Sequence, residues 1–220
     1  MATDQPEKTR PSAVQSGLRK RFFRAIRGDS RLYEEVEHDP KANQQVLLVI
    51  GIVATAQAAG IALENLISAQ PLSGTLLESI VGFGLTLAGI GLWSLLLYFI
   101  GTRLFQGKAT PGEVWRASGF ARSPGIFYII PVVGMLANPW MIYTNIKAAR
   151  QALDVSTGRA LAASILSFLP YLFLIGVLQT VTFQQLEIAL LATILGTLFV
   201  AVYYTSVQGP QPAEGNPSTT

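Results

Sequence analysis

The chain has 220 residues, 50% of them hydrophobic and only 13% charged, whereas soluble domains average about a quarter charged. With no cysteine and a single histidine, His38, it offers no disulfide framework or thiolate chemistry, and the residues for a histidine-based metal site or a Ser-His triad are not at hand. What remains is an all-α polytopic helical membrane bundle, one domain with polar tails.

The net charge of +3 hides a gradient. Nine of the sixteen Lys and Arg residues precede position 42, and none follows Arg159. These bases flank apolar segments, so they speak to membrane topology and not to nucleic acid. Residues 1–16 are rich in Pro, Ser, Gln and charge and are expected to be disordered. No basic cap followed by a short apolar run opens the chain, so a cleavable signal peptide is not expected.

Residues 17–43 form a cytoplasmic segment, first amphipathic and then acidic. In GLRKRFFRAIR, Leu18, Phe22 and Ile26 recur every four residues, with Arg19, Lys20, Arg24 and Arg27 on the other faces. A basic amphipathic helix of this kind can lie among anionic headgroups, or pack on the bundle as a short solvated helix. The acidic run from Glu34 to Asp39 reads as a solvated cap, with Pro40 ending any helix there. Glu34, Glu35, Glu37, His38 and Asp39 could be offered as a metal cluster, but solvation is the commoner fate of such a run near a membrane.

Five apolar segments are long enough to span, at about 45–67, 76–100, 125–144, 160–178 and 186–207, within a transmembrane domain covering 44–207. In the first, Ala54, Ala58 and Ala62 recur every four residues and let a neighbour approach. The second has a small face of Gly82, Gly84, Gly89 and Gly91, with Trp93, Tyr98 and Phe99 towards one end. The loop 101–122 carries Arg103, Lys108, Arg116 and Arg122. In it, Thr110-Pro111-Gly112-Glu113 predicts a capped start to a short interfacial helix bearing Val114, Trp115 and Phe120. Gly107-Lys108 is followed by Ala109, so no phosphate-binding loop is present. The third span is broken by Pro131 and Pro139, and the fourth is interrupted by Pro170. Residues 208–220 read as a disordered tail.

Counting positive charge puts the N-terminus and loop 101–122 in the cytoplasm. Five full spans would leave Lys147, Arg150 and Arg159 outside. If 125–144 were instead a re-entrant hairpin bent at its prolines, all sixteen bases would lie inside.

No nucleophile and base come together in the sequence, and no catalytic, cofactor-binding or metal-ligating residue is assigned. Candidate lipid- or partner-contacting residues are Arg19, Lys20, Arg24, Arg27, Arg116 and Arg122. Arg103, Arg150, Asp154 and Arg159 are a candidate structural polar cluster at one membrane face, with Ser156 or Thr157 capping the helix that follows. The reading is a non-enzymatic membrane-organising or scaffolding protein. It would oligomerise through its spans or bind a membrane-protein partner, hold anionic lipid headgroups and take no nucleic acid. The alternative is a small transporter or channel subunit with a broken-helix site near Pro131–Pro139.

Gly101-Thr-Arg103, Gly107 to Thr110, Arg116, residues 119–124, Pro131, Gly134, Ala152-Leu-Asp154 and residues 156–160 together resemble the Yip family of multi-span membrane proteins. The LYEEVEHDP run resembles its prokaryotic branch. The resemblance covers roughly Arg24 to Tyr204. It implies a five-span helical domain with a cytoplasmic N-terminus and the C-terminus on the far side, in the cell membrane. In eukaryotic relatives it implies work with Ypt/Rab GTPases, an interaction not expected to transfer to a prokaryotic member.

Overall fold

The computed structural model describes residues 17–184, with side chains through residue 179. The expected tails at 1–16 and 208–220 and the expected fifth span at 186–207 lie outside the described residues. Two short helices cap one end of the bundle, α1 (Leu18–Ile26) and α2 (Ser30–Glu37). Gly28 turns the chain between them at φ 67°, a left-handed value that favours glycine. Asp29 then caps α2 by accepting the Arg31 N–H at 3.0 Å. The acidic segment is therefore not simply solvated. It folds as α2 because Leu32, Tyr33 and Val36 share a face, and all three are fully buried.

From this cap α3 (Ala42–Ile67) descends and α4 (Leu72–Phe105) returns. Gly82 lets Ile61 lie against the α4 backbone, and Asn65 donates to Glu78 at 2.6 Å where the pair turns round at the far end. Of the glycines read as a small face on α4, Gly82 and Gly89 receive neighbours, Gly89 facing Tyr171; Gly101, outside that set, faces Leu153.

The capped start predicted for α5 (Pro111–Ala121) is present and is a full capping box: the Thr110 hydroxyl accepts the Glu113 N–H at 3.3 Å, and the Glu113 carboxylate accepts the Thr110 N–H at 2.7 Å. Its location differs from expectation. α5 is not interfacial but enclosed by α2, α3, α4 and α6, with Val114, Trp115, Ala117 and Phe120 fully buried. A 3-10 segment, Ser123–Ile129, continues its line, and α6 (Pro131–Ala152) comes back beside it.

Residues 125–144, expected as one broken span, are divided here between the 3-10 segment and α6, which run back beside each other. Gly134 packs on Tyr128, the Thr144 hydroxyl donates to the Ala121 carbonyl at 2.8 Å, and the Lys108 N–H donates to the Leu153 carbonyl at 3.0 Å. The unit from α5 to α6 is a hairpin that begins and ends at the cap. Pro131 is the reason. At the first position of α6 its missing N–H is one that no helix would have used, so it starts a new helix instead of bending an old one. Pro139 and Pro170 sit inside unbroken helices, so the expected interruption at Pro170 does not occur.

The hairpin descends alongside α3, with Gly119 on Val46, Gly125 on Val53 and the Tyr128 carbonyl on Gly60. Gly60 lies eighteen residues into α3, about 27 Å along its axis. The tip is apolar and bare, with Ile130, Val132, Met135 and Leu136 between 51% and 75% exposed. Finally α7 (Thr157–Gln184) starts at the cap, where the Ser156 hydroxyl accepts the Arg159 N–H at 3.5 Å, and runs down against α4. Among the described residues three helices, α3, α4 and α7, are long and apolar enough to cross a membrane.

Gly60 should be intolerant, because a Cβ there would run into the Tyr128 backbone oxygen. Gly60→Ala is expected to cost about 1–3 kcal/mol, as overpacking does. Gly51→Ala, where nothing lies within 4 Å, should be neutral or stabilising. Thermal unfolding of the two purified variants in detergent checks the contrast.

Candidate functional site

Two polar centres stand out from the apolar bundle. The first is in the cap. Arg21, which shares the inner face of α1 with Phe22 and Ala25, is only 2% exposed. Its guanidinium reaches Glu35 at 2.9 Å and Asp39 at 2.8 Å and donates to the Gln45 side chain at 3.0 Å. Arg24 holds the other Glu35 oxygen at 2.5 Å and Asp29 at 2.8 Å. Burial works against the Arg24 charge, but the hydrogen bonds it donates to Asp29 and Glu35, and their negative charge, outweigh it and raise its pKa. The acids from 29 to 39 are thus largely the counter-charges of α1. Among the described residues no group of His, Asp and Glu could hold a metal ion.

Arg116 locks this cap to α5. It is 7% exposed, and it donates to the Val36 carbonyl at 2.9 Å, to the Glu37 carbonyl, and more weakly to Asn43 at 3.5 Å. These are the last carbonyls of α2, the negative end of its dipole, so a buried cation is well placed there. Arg116 therefore faces inward and is not a residue in contact with lipid. Beside it the Glu37 carboxyl is buried, with Oε2 lacking any hydrogen-bond partner among the described residues. Burial pushes its pKa up to about 7, helped by Asp154, Glu113 and Glu34 and opposed by His38.

The second centre is a cavity of about 270 Å³ within the bundle, walled by α3, α4, α7 and the hairpin. Arg122, the residue after α5, lines it, with its guanidinium 5.9 Å from the centre of the Trp93 ring. Trp93 is ten residues before Arg103 on α4, so this charge lies about 15 Å into the bundle. Yet Arg122 makes no salt bridge among the described residues, and its Nε is buried without a hydrogen-bond partner. Among the described residues the other polar side chains of the lining are Gln57, Thr86, Tyr128, Tyr171 and Gln179, with no carboxylate. Neither Pro131 nor Pro139 lines this cavity.

The remaining candidates are dispersed. Arg19, Lys20 and Arg27 are exposed on α1, as expected of surface contacts, whereas Arg24 is tied up in ion pairs. Arg103, Arg150, Asp154 and Arg159 are all exposed at the cap and form no ion pair with one another, so the expected polar cluster is not assembled. Arg150 hydrogen-bonds only its neighbour Gln151, and Asp154 supplies a left-handed turn residue at φ 52°. Arg21 and the depth of Arg122 went unnoticed in the sequence. The signal for Arg21 was present, since the bases of 19–27 are followed at once by a matching set of acids.

Two substitutions test the cap. Arg21→Ala takes the arginine from Asp39 and leaves Glu35 to Arg24 alone, and should cost about 3 kcal/mol, whereas Arg19→Ala should stay within about 0.5 kcal/mol. Unfolding of the purified protein by denaturant measures both. Glu37 has a folded-state pKa raised from 4.5 to about 7, so its protonated form is favoured by folding. Its stabilisation is full below pH 4.5 and is lost as the pH rises through 7. Glu37→Gln should therefore raise the melting temperature at pH 8 and leave it nearly unchanged at pH 4.5.

The Yip1 domain family matches residues 20–180, which take in the cap, the hairpin and nearly all of the three long helices. No curated protein and no solved structure matches the chain. With a single family covering most of its length, and with helices long and apolar enough to span a bilayer, this chain is a membrane protein belonging to the Yip1 domain family.

Proposed function

We propose that the protein is a non-enzymatic organiser of the cell membrane, with its cap in the cytoplasm and the outer face of α1 laid on anionic headgroups. One observation carries this reading. Arg19, Phe23 and Arg27 follow one another at four-residue spacing, with Lys20 beside them, and all four are exposed; Phe23 is 51% exposed although its neighbour Phe22 is buried. A bare phenylalanine among free bases suits the boundary between headgroups and acyl chains. Trp140 and Tyr143, half-exposed on α6 where it meets α1, suit the same level.

Charge supports the orientation. Apart from Arg122, the bases of the described residues gather at the cap end, and the connection between α3 and α4 carries none. With the α5–α6 unit as a hairpin inserted from the cytoplasmic side, Lys147, Arg150 and Arg159 stay inside with the rest, and the conflict between charge and span count disappears. The apolar outer faces of α3, α4, α6 and α7 are then free to meet lipid or another copy, which is how a scaffold would assemble.

Native mass spectrometry of the full chain released from bilayers containing phosphatidylglycerol and phosphatidylcholine should show retained anionic lipid and oligomers. Each base near the surface contributes about 1 kcal/mol, so replacing Arg19, Lys20 and Arg27 together by Ala should weaken the preference for the anionic lipid on the order of a hundredfold. Free monomers holding no lipid would sink the proposal. A topology reporter inserted after Asp154 should report the same compartment as one at the N-terminus; opposite compartments would overturn the hairpin arrangement.

A further inference from the structure

We infer that the bundle cavity is a binding site for an acyl-chain amphiphile bearing a carboxylate or phosphate, with Arg122 as its counter-charge. Among the described residues nothing in the lining balances the Arg122 charge. Arg122 brings a permanent positive charge to the lining, where it is partly exposed, and no carboxylate shares that lining among the described residues. Two local donors are already spent: the Thr86 hydroxyl on the Gly82 carbonyl at 2.8 Å, and the Tyr128 hydroxyl on Asn138. The Arg122 guanidinium makes no hydrogen bond or ion pair among the described residues; its Nε and the Trp93 indole N–H beneath it are buried away from the cavity, so an anion there would be met by the Nη groups. A guanidinium with free N–H groups is best satisfied by an oxyanion, which it can grip through two parallel hydrogen bonds.

The rest of the cavity tells against a bare inorganic ion. Away from Arg122 the wall is mixed, but Val53, Ile61, Leu85, Ile90 and Ile175 give it an apolar part that a small hydrated anion would leave uncovered. A volume of about 270 Å³ is close to the lower end of small-molecule pockets, enough for a head group and the first part of a chain. The site is separate from the outer face of α1, so it stands or falls independently of the surface contacts proposed above.

The test uses the full-length protein purified in detergent and four probes: oleate, 1-oleoyl-lysophosphatidate, oleyl alcohol and inorganic phosphate. Binding is followed by tryptophan fluorescence, since Trp93 lies beneath Arg122. The two anionic amphiphiles should bind about tenfold or more tighter than oleyl alcohol, and the tighter of the two identifies the acid group the site prefers. Arg122→Gln should bring both close to oleyl alcohol, whereas the Arg19, Lys20 and Arg27 triple variant should bind them normally. Oleyl alcohol binding as well as oleate, phosphate binding as well as lysophosphatidate, or the loss appearing in the triple variant in place of Arg122→Gln would each overturn the proposal. Should Arg122→Gln fail to fold, a diazirine-bearing oleate on the wild-type protein decides. Labelling of α3 around Gln57 and of α7 around Ile175 supports the site, and labelling confined to α1 or the lipid-facing surface refutes it.

Discussion

Backbone that is neither helix nor barrel cannot face hydrocarbon, because its unmet N–H and C=O groups have nothing to bond. In the described chain this constraint is sharpest at Ser123–Ile129, a 3-10 segment at the depth of the long helices. The fold can be read as the means of sheltering it. α3 supplies a glycine so that the Tyr128 carbonyl can press against its backbone, α6 returns along the other side, and α5 above is closed in by the cap. The cap in turn is held by Arg21 within it and by Arg116 from beneath, each bonded to groups on α2. Buried guanidinium groups are costly, and here their cost is offset because each one meets several acceptors.

Much of this was legible, and for identifiable reasons. The capped start at Thr110 depends on four consecutive residues and is found as read. The amphipathic α1 and the long apolar helices follow from local periodicity. The position of the bases already pointed to a hairpin, and the preference for five spans came from resemblance against that charge count. The misread elements are those whose cause lies far off in the chain. Nothing near α5 announces that it is enclosed, since its cover comes from α2, α3, α4 and α6. Gly60 looks like any small residue on a span until a carbonyl sixty-eight positions later arrives against it.

Prolines illustrate the same point. In sequence Pro131, Pro139 and Pro170 all read as breaks in apolar segments. The structure uses only the first in that way, by placing it at a helix start. The other two sit within helices that continue, as neighbouring side chains and local adjustment in a bundle allow. A proline removes a hydrogen bond wherever it falls, but whether it ends a helix is decided by what packs around it.

The hydrogen bond from the Lys108 N–H to the Leu153 carbonyl has a consequence for how the chain is wired. It fastens together the two feet of the hairpin, next to the end of α4 and the start of α7. Topologically, α5 to α6 is a cassette set between two helices that already pack on each other. The polypeptide could be rejoined across its feet without reversing either flanking helix. The element that lines the cavity and carries its arginine is thus the one that could be exchanged while the long helices kept their order and direction.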